Sequence, residues 1–133
     1  MALGDGATGR AVFAAEAAAV PQARQRLRET LERLGVNRER QQAALVLLSE
    51  VVTNAVKHGS RVGDRITLAW TLDRDVLKVA VVDSASGCGG PVVLMPDEER
   101  EEGRGMLIVD EVAEYWTERA IGGCRQVSFR VRV

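Results

Sequence analysis

Cysteine is scarce in this chain: its 133 residues include only Cys88 and Cys124. Two thiols are too few for a disulfide framework, and neither stands in a CxxC or Cys/His ligand spacing. The expectation is a pair of free thiols in a reducing compartment, although both lie in glycine-rich stretches whose contact is conceivable. An excess of one charge is lacking too. Lys and Arg total 18 against 19 for Asp and Glu, a formal net charge of −1. That balance leaves no bulk electrostatic footprint for nucleic acid or an anionic membrane. Lysine itself is confined to Lys57 and Lys78, which reads as the coding bias of a GC-rich genome. No apolar run approaches the roughly 20 residues of a membrane-spanning helix. Met1–Gly9 also lacks the basic, apolar and cleavage regions of a secretory signal. These absences predict a soluble, cytoplasmic protein without direct nucleic-acid or membrane contact.

What is present is ordinary globular material. Hydrophobic residues make up 46% and charged residues 28%, enough for one packed core without staples. The domain reading is a flexible segment over residues 1–9 and a single domain over 10–133. Arg10–Glu16 is expected to form a short strand. A helix is expected over Pro21–Leu34, where Leu27, Leu31 and Leu34 make one apolar stripe and Gly35 ends it. Asn37 is a helix N-cap, and no Gly or Pro interrupts Arg38–His58, the longest predicted helix. Arg65–Leu72 alternates, with Ile66, Leu68, Trp70 and Leu72 on one side. A turn at Asp73–Asp75 leads into the more continuously apolar Val76–Asp83. Gly103–Trp116 is read as a third helix through Met106, Val109, Val112 and Trp116. Gln126–Val133 alternates again after a Gly122–Gly123 turn. Paired strands with helices before and between them predict an α+β two-layer sandwich. The sheet would be mixed but mostly antiparallel, with three helices on one face.

Three constellations stand out as chemistry. Glu50, Asn54 and His58 recur at i, i+4 and i+8 on a helix that is otherwise apolar, so they share one face. A carboxylate among apolar residues is suited to general-base work, and an Asn oxygen one turn on can ligate Mg²⁺. The competing reading is a solvated helix face. Asp83 ends a buried strand and opens Ser84-Ala85-Ser86-Gly87-Cys88-Gly89-Gly90, small residues that let a planar ligand approach. The competing reading is a turn that ends the strand. Gly103-Arg104-Gly105 precedes a predicted helix, where backbone N–H groups can face phosphate. It is neither a Walker A loop nor a dinucleotide fingerprint.

Taken in order, these motifs resemble the ATP-binding domain of gyrase, histidine kinases and mismatch-repair ATPases, the Bergerat or GHKL fold. LLSEVVTNAVKHG is similar to its asparagine box, VVDSASGCGGP to its first glycine box and EEGRGMLIVDEVAEYW to its second. Within that superfamily the chain resembles the small stand-alone anti-sigma-factor serine/threonine kinases, over roughly Val12–Val133. The resemblance implies ATP and Mg²⁺ as cofactors. Glu50 would be the general base, Asn54 the Mg²⁺ ligand and Asp83 the acceptor for the adenine amine. Gly87 would let the base lie close, and Gly103, Arg104 and Gly105 would wrap the phosphates. Arg24 would lie on the partner or phosphate side. The implied partners are an anti-anti-sigma (STAS-type) protein, a sigma factor and a second copy of the chain. Two positions depart from the pattern. Ala85 replaces the usual first glycine, and Arg125 or Gln126 stands where a threonine is usual. The alternative they raise is an anti-sigma binding module without kinase turnover.

Overall fold

The computed structural model describes residues 7–59, 64–84, 115–121 and 124–133. Its elements in chain order are β1 (Ala7–Ala14), α1 (Ala19–Arg33), α2 (Arg38–Gly59), β2 (Arg65–Asp73), β3 (Val76–Ser84), β4 (Tyr115–Ile121) and β5 (Cys124–Arg132). The strands form one sheet of order β1-β2-β3-β5-β4. Every pairing is antiparallel, so the parallel component expected of a mixed sheet is absent among the described residues.

Local chemistry sets the two helix boundaries. α1 ends in a paired-carbonyl cap: Val36 N–H donates to the Leu31 carbonyl at 3.0 Å and Gly35 N–H to that of Glu32 at 3.1 Å. This geometry needs a left-handed residue, and Gly35 supplies it with φ +79°. Two residues later Asn37 caps α2, its Oδ1 accepting the Arg40 N–H at 2.8 Å. Both signals match the sequence reading, and the helix starts and stops follow to within a turn.

The two helices pack on one face of the sheet. Leu27 and Leu31 of α1 and Leu48 and Val52 of α2 have no exposed surface, and they meet Ile66, Leu68, Val79 and Phe129 from the strands. Each such side chain contributes about 1.5–3 kcal/mol on burial, so this layer carries the stability. The β2 alternation is as expected, with Ile66, Leu68, Trp70 and Leu72 buried. β1 begins at Ala7, three residues ahead of the predicted start. Gly9 there lies opposite Trp70, and a Cβ on Gly9 would overlap the indole ring. The β2–β3 turn is tight. Asp73 pairs with Val76, and Arg74 takes φ +61°, the left-handed start typical of two-residue hairpins.

One expectation is corrected. The third helix was expected to run to Trp116, yet Tyr115 and Trp116 open β4. Trp116 is fully buried opposite Phe129, and this aromatic cross-strand pair favours the strand. The remainder of that predicted helix, residues 103–114, lies outside the described residues, as does the Gly122–Gly123 turn.

Candidate nucleotide site

α2 carries Glu50 and Asn54 one helical turn apart, and both are half-buried. Their neighbours Val51, Val52 and Ala55 are in the core, so the polar pair borders the interface between helix and sheet. β3 brings Asp83 to the same layer. It follows Leu77, Val79 and Val81 on the helix-facing side, and like them it is buried, with 6% of its surface exposed. Its Oδ1 has no hydrogen-bond partner. An unmade acceptor in a buried position costs about 1–3 kcal/mol, which a donor that reaches this oxygen would recover.

The electrostatics around Asp83 come from its burial and two charged neighbours. Burial pushes its carboxyl above the ordinary value of 3.8, the nearby Asp64 carboxylate pushes it further, and Arg125 pulls it back. The β3–β5 register explains the last of these, because Asp83 and Arg125 lie directly opposite. Arg125 is also engaged elsewhere, its Nε donating to Glu118 Oε2 at 2.5 Å. The register settles which residue of β5 faces the site. Gln126 lies opposite Val82 on the other face, where its Nε2 donates to Ser128 Oγ at 3.0 Å. The side chain beside Asp83 is therefore a guanidinium and not a hydroxyl.

Arg24 is held apart from this cluster. Its Nη1 donates to Ser49 Oγ at 2.7 Å. Successive helical residues are rotated by about 100°, so Ser49 lies on a different flank of α2 from Glu50 and Asn54. Gly87, Gly103, Arg104 and Gly105, together with Ala85, lie outside the described residues, and so does the His58 side chain. Cys124 overturns the expectation of free thiols, because it is disulfide-bonded. It opens β5, the strand that pairs with β3, and the chain's other cysteine, Cys88, follows β3 in sequence and lies outside the described residues. Sequence reasoning missed Asp64, which is buried at the entry to β2. A lone Asp ahead of a strand carries no periodic or motif signal that could have found it.

The sequence matches the family described as histidine kinase-like ATPase domain over residues 13–130. The chain belongs to that family. Among solved structures, this ATPase-family chain is similar to the crystal structure of the RsbU and RsbW domains of Rv1364c from Mycobacterium tuberculosis, with a TM-score of 0.72 and 18% identity. The match covers 95% of this chain and 32% of that one, so it shows a shared fold over about a third of the larger chain. No curated protein matches the sequence. The membership agrees with the GHKL fold expected from the three boxes. Among the described residues no helix is long and apolar enough to cross a membrane.

Proposed function

We propose that this histidine kinase-like ATPase domain binds Mg-ATP and acts as an anti-sigma-type protein serine/threonine kinase. The observation that carries the reading is Asp83, buried with an unsatisfied acceptor oxygen. An acceptor of that kind fits the exocyclic amine of adenine. Asn54, half-buried on the adjoining helix, offers the oxygen that would hold Mg²⁺, whose bound charge would offset that of the phosphates. Glu50, one turn away, takes the proton of the attacking serine hydroxyl. Phosphoryl transfer asks mainly for positioning, so a rigid α2 is the principal contribution of the protein. By the family resemblance, Gly87 admits the base, and Gly103, Arg104 and Gly105 enclose the phosphates. Arg24, held by Ser49 on another flank of α2, belongs to the partner side.

The proposed partners are a cytoplasmic STAS-type anti-anti-sigma protein, which receives the phosphate, and a sigma factor, which is sequestered. Motif resemblance supports this reading, as does the likeness to a structure that contains an RsbW domain. The test mixes the protein with Mg-ATP and a candidate STAS domain and looks for phosphoserine by mass spectrometry. Wild type should phosphorylate the domain, and Glu50→Ala should abolish transfer while calorimetry still records nucleotide binding. Nucleotide binding without any transfer would sink the kinase claim.

One observation favours a second reading. Arg125 stands beside Asp83, at a position where the resembled family usually has a threonine. If that exchange has cost turnover, the chain is an anti-sigma binding module. Tight partner binding that ignores ATP would identify it.

A further inference from the structure

The strongest unused feature is a second buried carboxylate. Asp64 immediately precedes β2 and is only 5% exposed. Its backbone is tied in place, since its carbonyl accepts the Ala15 N–H at 3.0 Å. Ile66 lies opposite Asp83 in the β2–β3 ladder. Asp64 is two residues before Ile66, which makes it the diagonal neighbour of Asp83 on the same face. Diagonal positions stand roughly 7–8 Å apart at the backbone, within reach of side-chain interaction. Two carboxylates that share a buried site do not ionise independently.

We propose that Asp64 is a positioning residue of the purine site: its carboxylate, diagonal to Asp83 across the ladder, adds to burial in favouring a proton on Asp83 and thereby shifts the pH range of nucleotide binding. The inference rests on the reading of Asp83 as the acceptor for the adenine amine. An ionised Asp83 offers both oxygens as acceptors, whereas protonation converts one of them to a donor. The charge on Asp64 and burial both favour the protonated form, and Arg125 opposes them.

Among the described residues, the groups around Asp83 can be named element by element. The β2 side contributes Asp64 and the apolar Ile66, and β5 contributes Arg125, whose guanidinium is shared with Glu118 of β4. α2 turns Val51, Val52 and Ala55 into the core. Its charged neighbours in this region are Glu50, half-buried, and Lys57, exposed. The side chain of His58 lies outside the described residues, so the test must separate a histidine titration from that of Asp83. Substitution at Asp64 does this, because it moves only a midpoint that depends on Asp64.

The experiment is calorimetric titration with Mg-ADP from pH 5 to pH 8, on wild type, Asp64→Asn and Asp64→Glu. Titration of the ligand's own phosphate is common to all three proteins and cancels in their comparison. Wild-type affinity should fall as the pH is lowered. Asp64→Asn should move the midpoint of that fall to lower pH and bind more tightly than wild type on the acid side of the wild-type midpoint. At pH 8 the two should agree within about twofold, since Asp83 is ionised in both. Asp64→Glu should keep the wild-type midpoint. An unmoved midpoint in Asp64→Asn, or a loss of affinity equal at every pH, overturns the inference and leaves nucleotide binding intact. Failure of wild type to bind Mg-ADP at any pH overturns the nucleotide reading as well. If Asp64→Asn does not fold, carboxyl ¹³C NMR of wild type decides the matter. Coupled two-step titration of Asp64 and Asp83 supports the inference, and two independent single steps overturn it.

Discussion

Asp83 carries its proposed role at the expense of stability. Its raised proton affinity means that the folded state favours the neutral acid more than the unfolded chain does. The contribution to stability is therefore full below the ordinary value of 3.8 and is lost as the pH rises through the higher folded value. At neutral pH the ionised carboxylate, its buried Oδ1 unpaired, is a net cost. Asp83→Asn should then stabilise the ligand-free protein at pH 7 by roughly 1 kcal/mol, a melting-temperature rise of about 3–5 °C, while nucleotide binding is lost. Thermal melts with and without Mg-ATP check both halves, and a destabilised Asp83→Asn would refute the account. A second residue is constrained in the opposite sense. Gly9 lies under the Trp70 indole, which occupies the space of any Cβ. Gly9→Ala should cost about 1–3 kcal/mol through forced repacking, measured by urea denaturation. Asp83 was legible in the sequence because it ends an apolar run and opens a glycine-rich one. Gly9 was not, because its constraint comes from a tryptophan 61 positions away that only pairing brings near.

Elements were legible where local chemistry decides them. α2 has a capping Asn, no breaker for 20 residues and a glycine at its end, and it folds as that pattern reads. Asn37→Ala removes the acceptor for the Arg40 N–H and should cost about 1 kcal/mol, read from the unfolding midpoint in urea. The same change to the exposed neighbour Arg38 should fall within about 0.5 kcal/mol. β4 escaped sequence reading for a physical reason. Trp116 satisfies both a helical spacing from Val112 and a strand alternation with Glu118, and a segment this short fits either period. Pairing with β5 decides it, through Trp116 opposite Phe129 and the ion pair of Glu118 with Arg125. Which of Arg125 and Gln126 takes the usual threonine position was likewise open by one residue in sequence, and the ladder sets Arg125 against Asp83.

At the scale of the molecule, one layer supports both stability and the site. Glu50 and Asn54 ride on the helix whose other faces fill the core, and Asp83 continues the strand that supplies Val79 and Val81. A ligand that bridges α2 and β3 thus ties together the two halves of the core, and its binding energy should appear as global stability. For a ligand that binds only the folded state, a concentration of 100 times Kd adds about 2.7 kcal/mol. In a domain of this size that corresponds to a rise in melting temperature of roughly 10 °C. Mg-ATP should produce a shift of that order in wild type. Asn54→Ala should lose most of it, because the cation no longer has its protein oxygen, and removal of Mg²⁺ with a chelator should reduce the wild-type shift to the same level. Adding the chelator to Asn54→Ala should then change nothing further, since both treatments delete one interaction. Additive losses would mean that Mg²⁺ is held by other residues, and that Asn54 acts on the nucleotide by a separate route.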